Sequence, residues 1–372
     1  MADAGIGLRR LAGQRIVASR RLADPGDVVR WLGAVQAQDY AQSSWAIGSR
    51  LRAGMLADVE RAIEQRRLLR TWLMRGTIHF APPEDVRWLL ALSAPRLAAA
   101  EARRCEQLGL SAADIDRCGE LLAGELSGDR RRTRPEVMRL FEAAGIKTAG
   151  QRGYHILVHL ARRGLICLGP MQERRQTFVL LDDWAPRSAA RELAGDEALA
   201  VLAARYAISR GPVTDYDFAR WAGIALGDAR RGLAAAGGVT RRRFGGVEHW
   251  LSDDACDRIP AAGRAQAYLL AGFDEYLLGY KDRDAMLAPV HSGKIAPGAN
   301  GVFKPIIVVG GQVAGTWGRS VRGAELTLAL HPFAPVAPKL AEQVVREAAR
   351  YRDFLGLPAG ARPVVRMEAP GA

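Results

Sequence analysis

Val239-Thr240-Arg241-Arg242-Arg243-Phe244-Gly245-Gly246-Val247-Glu248-His249-Trp250-Leu251 reads as two β-strands around a Gly-Gly turn. Three helical patterns precede it. Asp196 to Arg210 sets Leu199, Leu202, Ala203, Tyr206 and Ala207 on one apolar stripe, and Gly211-Pro212 stops it. Thr214 caps a second helix, Asp215 to Ala222, and a third runs from Leu226 to Ala236 before Gly237-Gly238. Three helices followed by a hairpin is the order of a winged helix, a helix-turn-helix relative with a β-wing.

The same order recurs upstream. Between Ala112 and Asp183, Arg134-Pro135-Glu136 opens a helix through Ala144, and Gln151 to Gly164 takes the recognition position. Leu165 to Leu168 and Gln176 to Leu181 are its wing strands. A looser copy comes first: a helix near Leu8 to Ile16, another from Asp27, a third from Leu56 to Arg67, and strands from Arg70 to Phe80. Pro82-Pro83-Glu84 then opens a long connector helix to Leu108. Beyond Arg264 a Gly/Pro-rich loop, Ala288 to Lys304, precedes strands at Ile306–Val309, Gln312–Trp317 and Glu325–Leu330, and a closing helix at Pro338–Phe354. The expected fold is α+β, mainly α: tandem winged-helix modules followed by a C-terminal α+β domain. The divisions fall at 1–108, 109–188, 189–260 and 261–372, and the first module carries Gln36 and Gln38.

A chain of 372 residues supports several such modules. The formal charge of +13 favours a polyanionic partner. With five lysines (147, 281, 294, 304 and 339) the excess is nearly all Arg, a habit shared by GC-rich genomes, so charge alone does not decide. Cys105, Cys118, Cys167 and Cys256 are scattered with no Cys-x-x-Cys pair, which argues against an iron–sulfur cluster, a zinc ribbon or a disulfide framework. No apolar run reaches the ~20 residues of a membrane span, and no cleavable leader is seen, so a cytoplasmic protein without a membrane partner is expected.

A polar interruption, Val35-Gln36-Ala37-Gln38-Asp39-Tyr40, follows an apolar helical stretch. Amides at i and i+2 point the same way only where the backbone is extended or leaving a helix. Gln does not ionise, so chemistry there must use orientation and dipoles. Asp39 is either a carboxylate rival to the glutamines or a cap before the segment starting at Tyr40. His155 and His159 stand at i, i+4 without a third ligand, so a helix face outweighs a metal site. Arg130-Arg131-Arg132 reads as a solvated linker in preference to a phosphate contact, and Asp274 and Glu275 as structural or interface pairing rather than an acid/base pair. Lys281 is a Schiff-base candidate, but Asp282 and Asp284 make an ion pair the better expectation. No cofactor or metal is expected, and no phosphate-binding glycine loop is present.

Four stretches in combination resemble one family: Gln36-Ala37-Gln38; Thr71-Trp72-Leu73-Met74-Arg75-Gly76-Thr77-Ile78-His79; Phe273-Asp274-Glu275-Tyr276-Leu277-Leu278-Gly279-Tyr280-Lys281-Asp282-Arg283; and Asn300 to Pro305 through Thr316-Trp317-Gly318-Arg319. The chain resembles the AlkZ-like winged-helix DNA glycosylases from about residue 8 to residue 355. The resemblance implies hydrolysis of the N-glycosidic bond of alkylated purines in double-stranded DNA, and some relatives unhook interstrand crosslinks. It carries over Gln36 and Gln38 as the catalytic pair and sets the chain outside a sister branch with Asp at the second position. It also puts the stretch holding Arg70, Arg75 and His79 near the active site, where these become phosphate or sugar contacts.

Two glutamines suffice if the substrate is already cationic. Alkylation at N7 of guanine or N3 of adenine lets the base leave as a neutral molecule without a general acid. Positive charge then develops on the sugar, as in glycoside hydrolysis. Positioned water and acceptor dipoles answer that need, with Gln36 on the water and Gln38 on the sugar side. A crosslinked base cannot swing out into a pocket. Groove contacts are therefore expected from Arg241, Arg242 and Arg243 of the wing and from His291 and Lys294 of the 288–304 loop. A monofunctional, monomeric glycosylase, associated with the nucleoid when bound, is the leading expectation. The alternatives are a non-enzymatic tandem winged-helix transcriptional regulator, against which stands the lack of a separate ligand-sensing region, and a structural or adaptor protein whose winged helices bind protein.

Overall fold

The computed structural model describes residues 4–255, 265–299, 301–358, 360 and 362–368. Cys256, Arg264, Asn300 and the division at 260/261 lie outside them.

Helix α1 (Ala4–Gly13) is followed by α2 (Pro25–Leu32), whose first turn is capped by Asp24 accepting from the Gly26 amide at 2.7 Å, with Pro25 at N1. Gly33, at φ 75°, turns the chain out of α2 into a two-residue extended element, β1 (Val35–Gln36). Then come α3 (Tyr40–Gly48), α4 (Leu56–Glu64), β2 (Leu69–Leu73), β3 (Thr77–Ala81) and the 22-residue α5 (Val86–Gln107). Capping boxes, Ser111 with Asp114 and Thr133 with Glu136, open α6 (Ala112–Leu126) and α7 (Arg134–Ala143), and β4 (Arg132–Thr133) lies between them. Next are α8 (Arg152–Arg162), β5 (Ile166–Gln172), β6 (Arg175–Leu180) and the short α9 (Leu181–Trp184).

The helix–hairpin stretch around the Gly245-Gly246 turn forms α10 (Gly195–Arg210), α11 (Asp215–Ala222), α12 (Leu226–Ala235), β7 (Val239–Phe244) and β8 (Val247–Ser252). Its hairpin pairs Arg241 with Trp250, Arg242 with His249 and Arg243 with Glu248. The remainder holds β9 (Ala267–Leu270), α13 (Glu275–Leu278), α14 (Ser292–Ile295), β10 (Ile306–Val309), β11 (Gln312–Arg322), β12 (Glu325–Pro332), α15 (Pro338–Phe354) and β13 (Val364–Met367). The fold is α+β, as expected.

Two units partition the chain: Met1–Val59 with Ala200–Trp221 and Ala225–Ala372, and Glu60–Leu199 with Ala222–Ile224. In the second unit the strands run β3-β2-β5-β6-β4, and Trp72, Cys118, Leu122, Phe141, Ile156, Leu157 and Phe178 share one apolar core. In the first, β13-β12-β11-β10-β9 form a sheet, antiparallel but for the β12–β13 pair. Trp45 of α3 meets Tyr351 and Phe354 of α15 at ring-centroid distances of 4.8 and 5.1 Å. Its indole N–H donates to the Leu269 carbonyl of β9 at 2.8 Å.

Four local expectations need correction. The first helix starts at Ala4 and ends at Gly13, earlier than Leu8 to Ile16. Helix α3 stands where no helix is expected. The 288–304 loop contains the helical turns Pro289–His291 and Ser292–Ile295. The Arg130–Arg132 run is paired rather than merely solvated: Arg131 reaches Glu64 at 2.6 Å and Arg132 reaches Glu125 at 2.5 Å.

Candidate active site

Gln36 closes β1 and is 8% exposed; Ala37 is buried, and Gln38 and Asp39 are exposed. Asp39 is the N-cap of α3, its carboxylate accepting from the Gln42 amide at 3.0 Å. That is the cap reading of the sequence, and it ties the carboxylate to the helix start. In the same first turn of α3, the Gln42 side-chain oxygen accepts from the Gly272 amide at 2.8 Å. The segment of the two glutamines is thus followed by a helix docked on β9 and on the chain leaving it.

That chain is Phe273-Asp274-Glu275, and both its carboxylates are buried in ion pairs. Asp274 meets Arg50 through two bonds of 3.0 and 2.9 Å, and it caps α13 by accepting from the Tyr276 amide. Arg50 also donates to the Gln14 side-chain oxygen at 2.6 Å and to the Ala46 carbonyl at 2.7 Å. Glu275 meets Arg210 at 2.8 Å, and its other oxygen accepts from the Gln36 amide at 3.1 Å. Buried charges persist when paired and hydrogen-bonded; every nitrogen of the Arg210 guanidinium is bonded, whereas Arg50 leaves its Nε without a partner. The expectation of structural pairing at Asp274 and Glu275 holds. The partners Arg50 and Arg210 carry no signal in the sequence.

Arg70 and His79 are buried on the paired strands β2 and β3 of the second unit. The Arg70 guanidinium donates to Gln176 at 2.6 Å and lies over the Phe80 ring. His79 Nδ1 is 2.9 Å from the Thr77 carbonyl, the local bond of a strand histidine. Arg75, half-buried, sits in the β2–β3 turn between Met74 and Gly76, both at positive φ.

Arg241, Arg242 and Arg243 are all exposed on β7. Arg241 lies 4.4 Å over the Trp250 ring, and Glu248 stands 3.7 Å from it and 4.0 Å from Arg243. His291 and Lys294 converge on Phe333: the imidazole stacks at 4.1 Å and the ammonium lies 5.6 Å from the ring. Lys281, expected in an ion pair, instead holds its ammonium 4.7 Å over the Tyr216 ring, a correction that tertiary packing imposes on a local charge pattern. Tyr216, Lys281, Arg283, Val247 and Phe303 line an open cleft of about 600 Å³.

His155 and His159 do not converge as a metal pair. His155 accepts from Arg104 at 3.3 Å, and His159 lies 3.2 Å from Glu101. Among the described residues no group of three His, Cys, Asp or Glu side chains is arranged to hold a metal, and no helix is long and apolar enough to cross a membrane.

Comparison with known proteins adds to this geometry. The chain is 27% identical over 360 residues to an interstrand DNA cross-link repair glycosylase of Streptomyces sahachiroi, covering 92% of this chain and 94% of that protein. The solved structure of the Streptomyces sahachiroi DNA glycosylase AlkZ is similar at a TM-score of 0.79 and 26% identity, covering 98% of this chain and 99% of that one. The family model for DNA glycosylase AlkZ-like proteins matches residues 29–354, and the chain belongs to that family of DNA glycosylases.

Proposed function

We propose that this DNA repair glycosylase hydrolyses the N-glycosidic bond of cationic N7- and N3-alkylated purines, with Gln36 and Gln38 as its catalytic pair. The likeness to a protein named as an interstrand DNA cross-link repair glycosylase, spanning 92% of the chain, carries the reading. The chemistry fits an uncharged site: a cationic base leaves without a proton donor. Water and the developing sugar charge need only oriented dipoles. Gln36 holds the water and Gln38 answers the sugar. Gln38 marks the branch with Gln at both positions. Interstrand crosslinks fall within the substrate range when one of the tethered bases is such a cation.

In this reading the helix–hairpin copies are winged helices, and the four divisions expected from sequence are modules. Arg241, Arg242, Arg243, His291 and Lys294 meet phosphates, and Arg75 is a further backbone contact. Arg70 and His79, both buried, act by shaping the strands that present Arg75. The enzyme works as a cytoplasmic monomer on the nucleoid and leaves an uncleaved abasic site.

The test is duplex DNA treated with a methylating agent. Wild type is expected to release 7-methylguanine, and Gln36→Ala is expected to lose about 3 kcal/mol of transition-state stabilisation, a rate drop of roughly 10²-fold. Release that is flat from about pH 6 to 9 fits two groups that do not titrate there. A bell-shaped profile with a carboxylate limb would transfer the role to Asp39. Tight binding to one undamaged sequence, with no base released, would defeat the proposal.

A further inference from the structure

One buried ion pair grips the backbone on the way into Gln36. Arg210 donates from Nη1 to the Leu32 carbonyl at 2.7 Å and from Nη2 to the Ala34 carbonyl at 3.1 Å. Its Nε and Nη2 meet Glu275 Oε2 at 3.2 and 2.8 Å. Glu275 Oε1 accepts from the Gln36 amide at 3.1 Å, and Oε2 accepts from the Trp221 indole at 2.9 Å. The guanidinium lies 4.3 Å over the Trp221 ring. The pair's side chains are 0% and 1% exposed.

In an extended backbone, groups two residues apart share an edge. The Ala34 carbonyl and the Gln36 amide therefore occupy one edge of β1, and the ion pair takes both. A pair this buried is a poor route to stability, because apolar side chains of the same volume serve as well or better. What apolar residues cannot supply is one charged donor and one charged acceptor aimed at successive backbone groups. The charge-assisted bond at Gln36 is also the kind that holds geometry most firmly.

We propose that the Arg210–Glu275 pair is the positioning device of the active site, fixing the backbone at Gln36 so that its side chain holds water in line with the glycosidic carbon. This rests on the reading of Gln36 as the water-holding residue. Both residues act through Gln36 and neither touches DNA.

Single-turnover base release and DNA affinity, measured separately on duplex DNA carrying N7-methylguanine, test it. Glu275→Gln keeps the shape but sets an amide N–H₂ against the Gln36 N–H when its oxygen stays with Arg210. The expected result is release slowed about 10²-fold, the scale of a small misplacement at a reacting centre, with DNA affinity unchanged. Amide hydrogen exchange at residues 33–38 should quicken. The double variant Gln36→Ala, Glu275→Gln should be no slower than Gln36→Ala alone, since one residue works through the other. Trp221→Phe leaves the ion pair in place and removes one bond to it, so a several-fold slowing at unchanged affinity is expected even if Glu275→Gln does not fold. A full rate in folded Glu275→Gln, or in Trp221→Phe, overturns the proposal, as do additive losses in the double variant. Gln36→Ala at the wild-type rate would remove the reading beneath it, whereas a slow Gln36→Ala beside a fast Glu275→Gln removes the clamp alone.

Discussion

Helices α8 and α12 hold the same place in two copies of one pattern, each after a short helix and before a β-hairpin, yet their surroundings are opposite. None of residues 152–162 in α8 is exposed. The helix lies among α5, α6, β2 and β5, and its polar side chains are taken up within that unit. His159 and Arg162 meet Glu101 of α5 at 3.2 and 3.3 Å, and His155 accepts from Arg104. α12 buries Ala229, Gly232 and Leu233 on one side and exposes Arg230 and Arg231 on the other. A position in a helix–hairpin motif therefore does not decide whether a helix can enter a groove; what covers it does. In the second unit the 22-residue α5 covers that helix, and in the first the same position stays open.

The largest effect expected from this contrast is on stability. Leu157→Ala in α8 removes a side chain that is 1% exposed, and a loss of about 2–5 kcal/mol is expected in urea unfolding. Arg230→Ala with Arg231→Ala on α12 should change stability by no more than about 0.5 kcal/mol, since both pairings, with Asp215 at 3.4 Å and Asp228 at 3.1 Å, are at the surface. Equal costs at the two helices would erase the distinction.

DNA binding should show the opposite ranking. The Arg230/Arg231 double variant is expected to weaken binding to damaged and undamaged duplexes alike. The slope of log K against log salt should fall by about 1 for each phosphate no longer neutralised. Leu157→Ala, where it still folds, should leave that slope alone. An unchanged slope in the arginine variant would show that the open face of α12 does not meet DNA.

Legibility from sequence divides along the same line. The stretch from α10 to β8 is bounded almost to the residue by its own caps, breakers and glycine turn, as is α15, because those signals are local. α3 escapes because Ser43, Ser44, Trp45, Ala46, Ile47 and Gly48 are all buried, and a helix covered on most sides shows no amphipathic period. Asp39 is legible as a cap even so, since a capping carboxylate needs only the backbone amides that directly follow it. The Arg210–Glu275 pair is not, because its partners lie 65 residues apart and nothing local distinguishes that arginine from the others. Neither is the covering of α8, which depends on α5, an element whose sequence says only that it is long and helical.

The smallest effect concerns how charge holds α5 to α8, and it has a definite sign. Burial lowers the His155 pKa below its ordinary 6.5, and Arg104 and Arg162 add to the shift. Burial pushes Glu101 upward, but its bonds to His159 and the Arg162 charge more than offset this, leaving the carboxyl below its ordinary 4.5. In both cases the unfolded chain takes up the proton more readily than the folded one, so acid favours unfolding. His155 contributes a decline that begins as pH falls through about 6.5, and Glu101 one that begins below about 4.5. The unfolding midpoint of the second unit should therefore fall modestly from pH 7 to 5 and further toward pH 4. His155→Gln is expected to flatten the first part. Glu101→Gln should flatten the second while lowering the midpoint at neutral pH, because His159 and Arg162 then lose their anion. A midpoint independent of pH from 7 to 4 would mean that α8 is held by its apolar face alone, and that α5 covers it without engaging it.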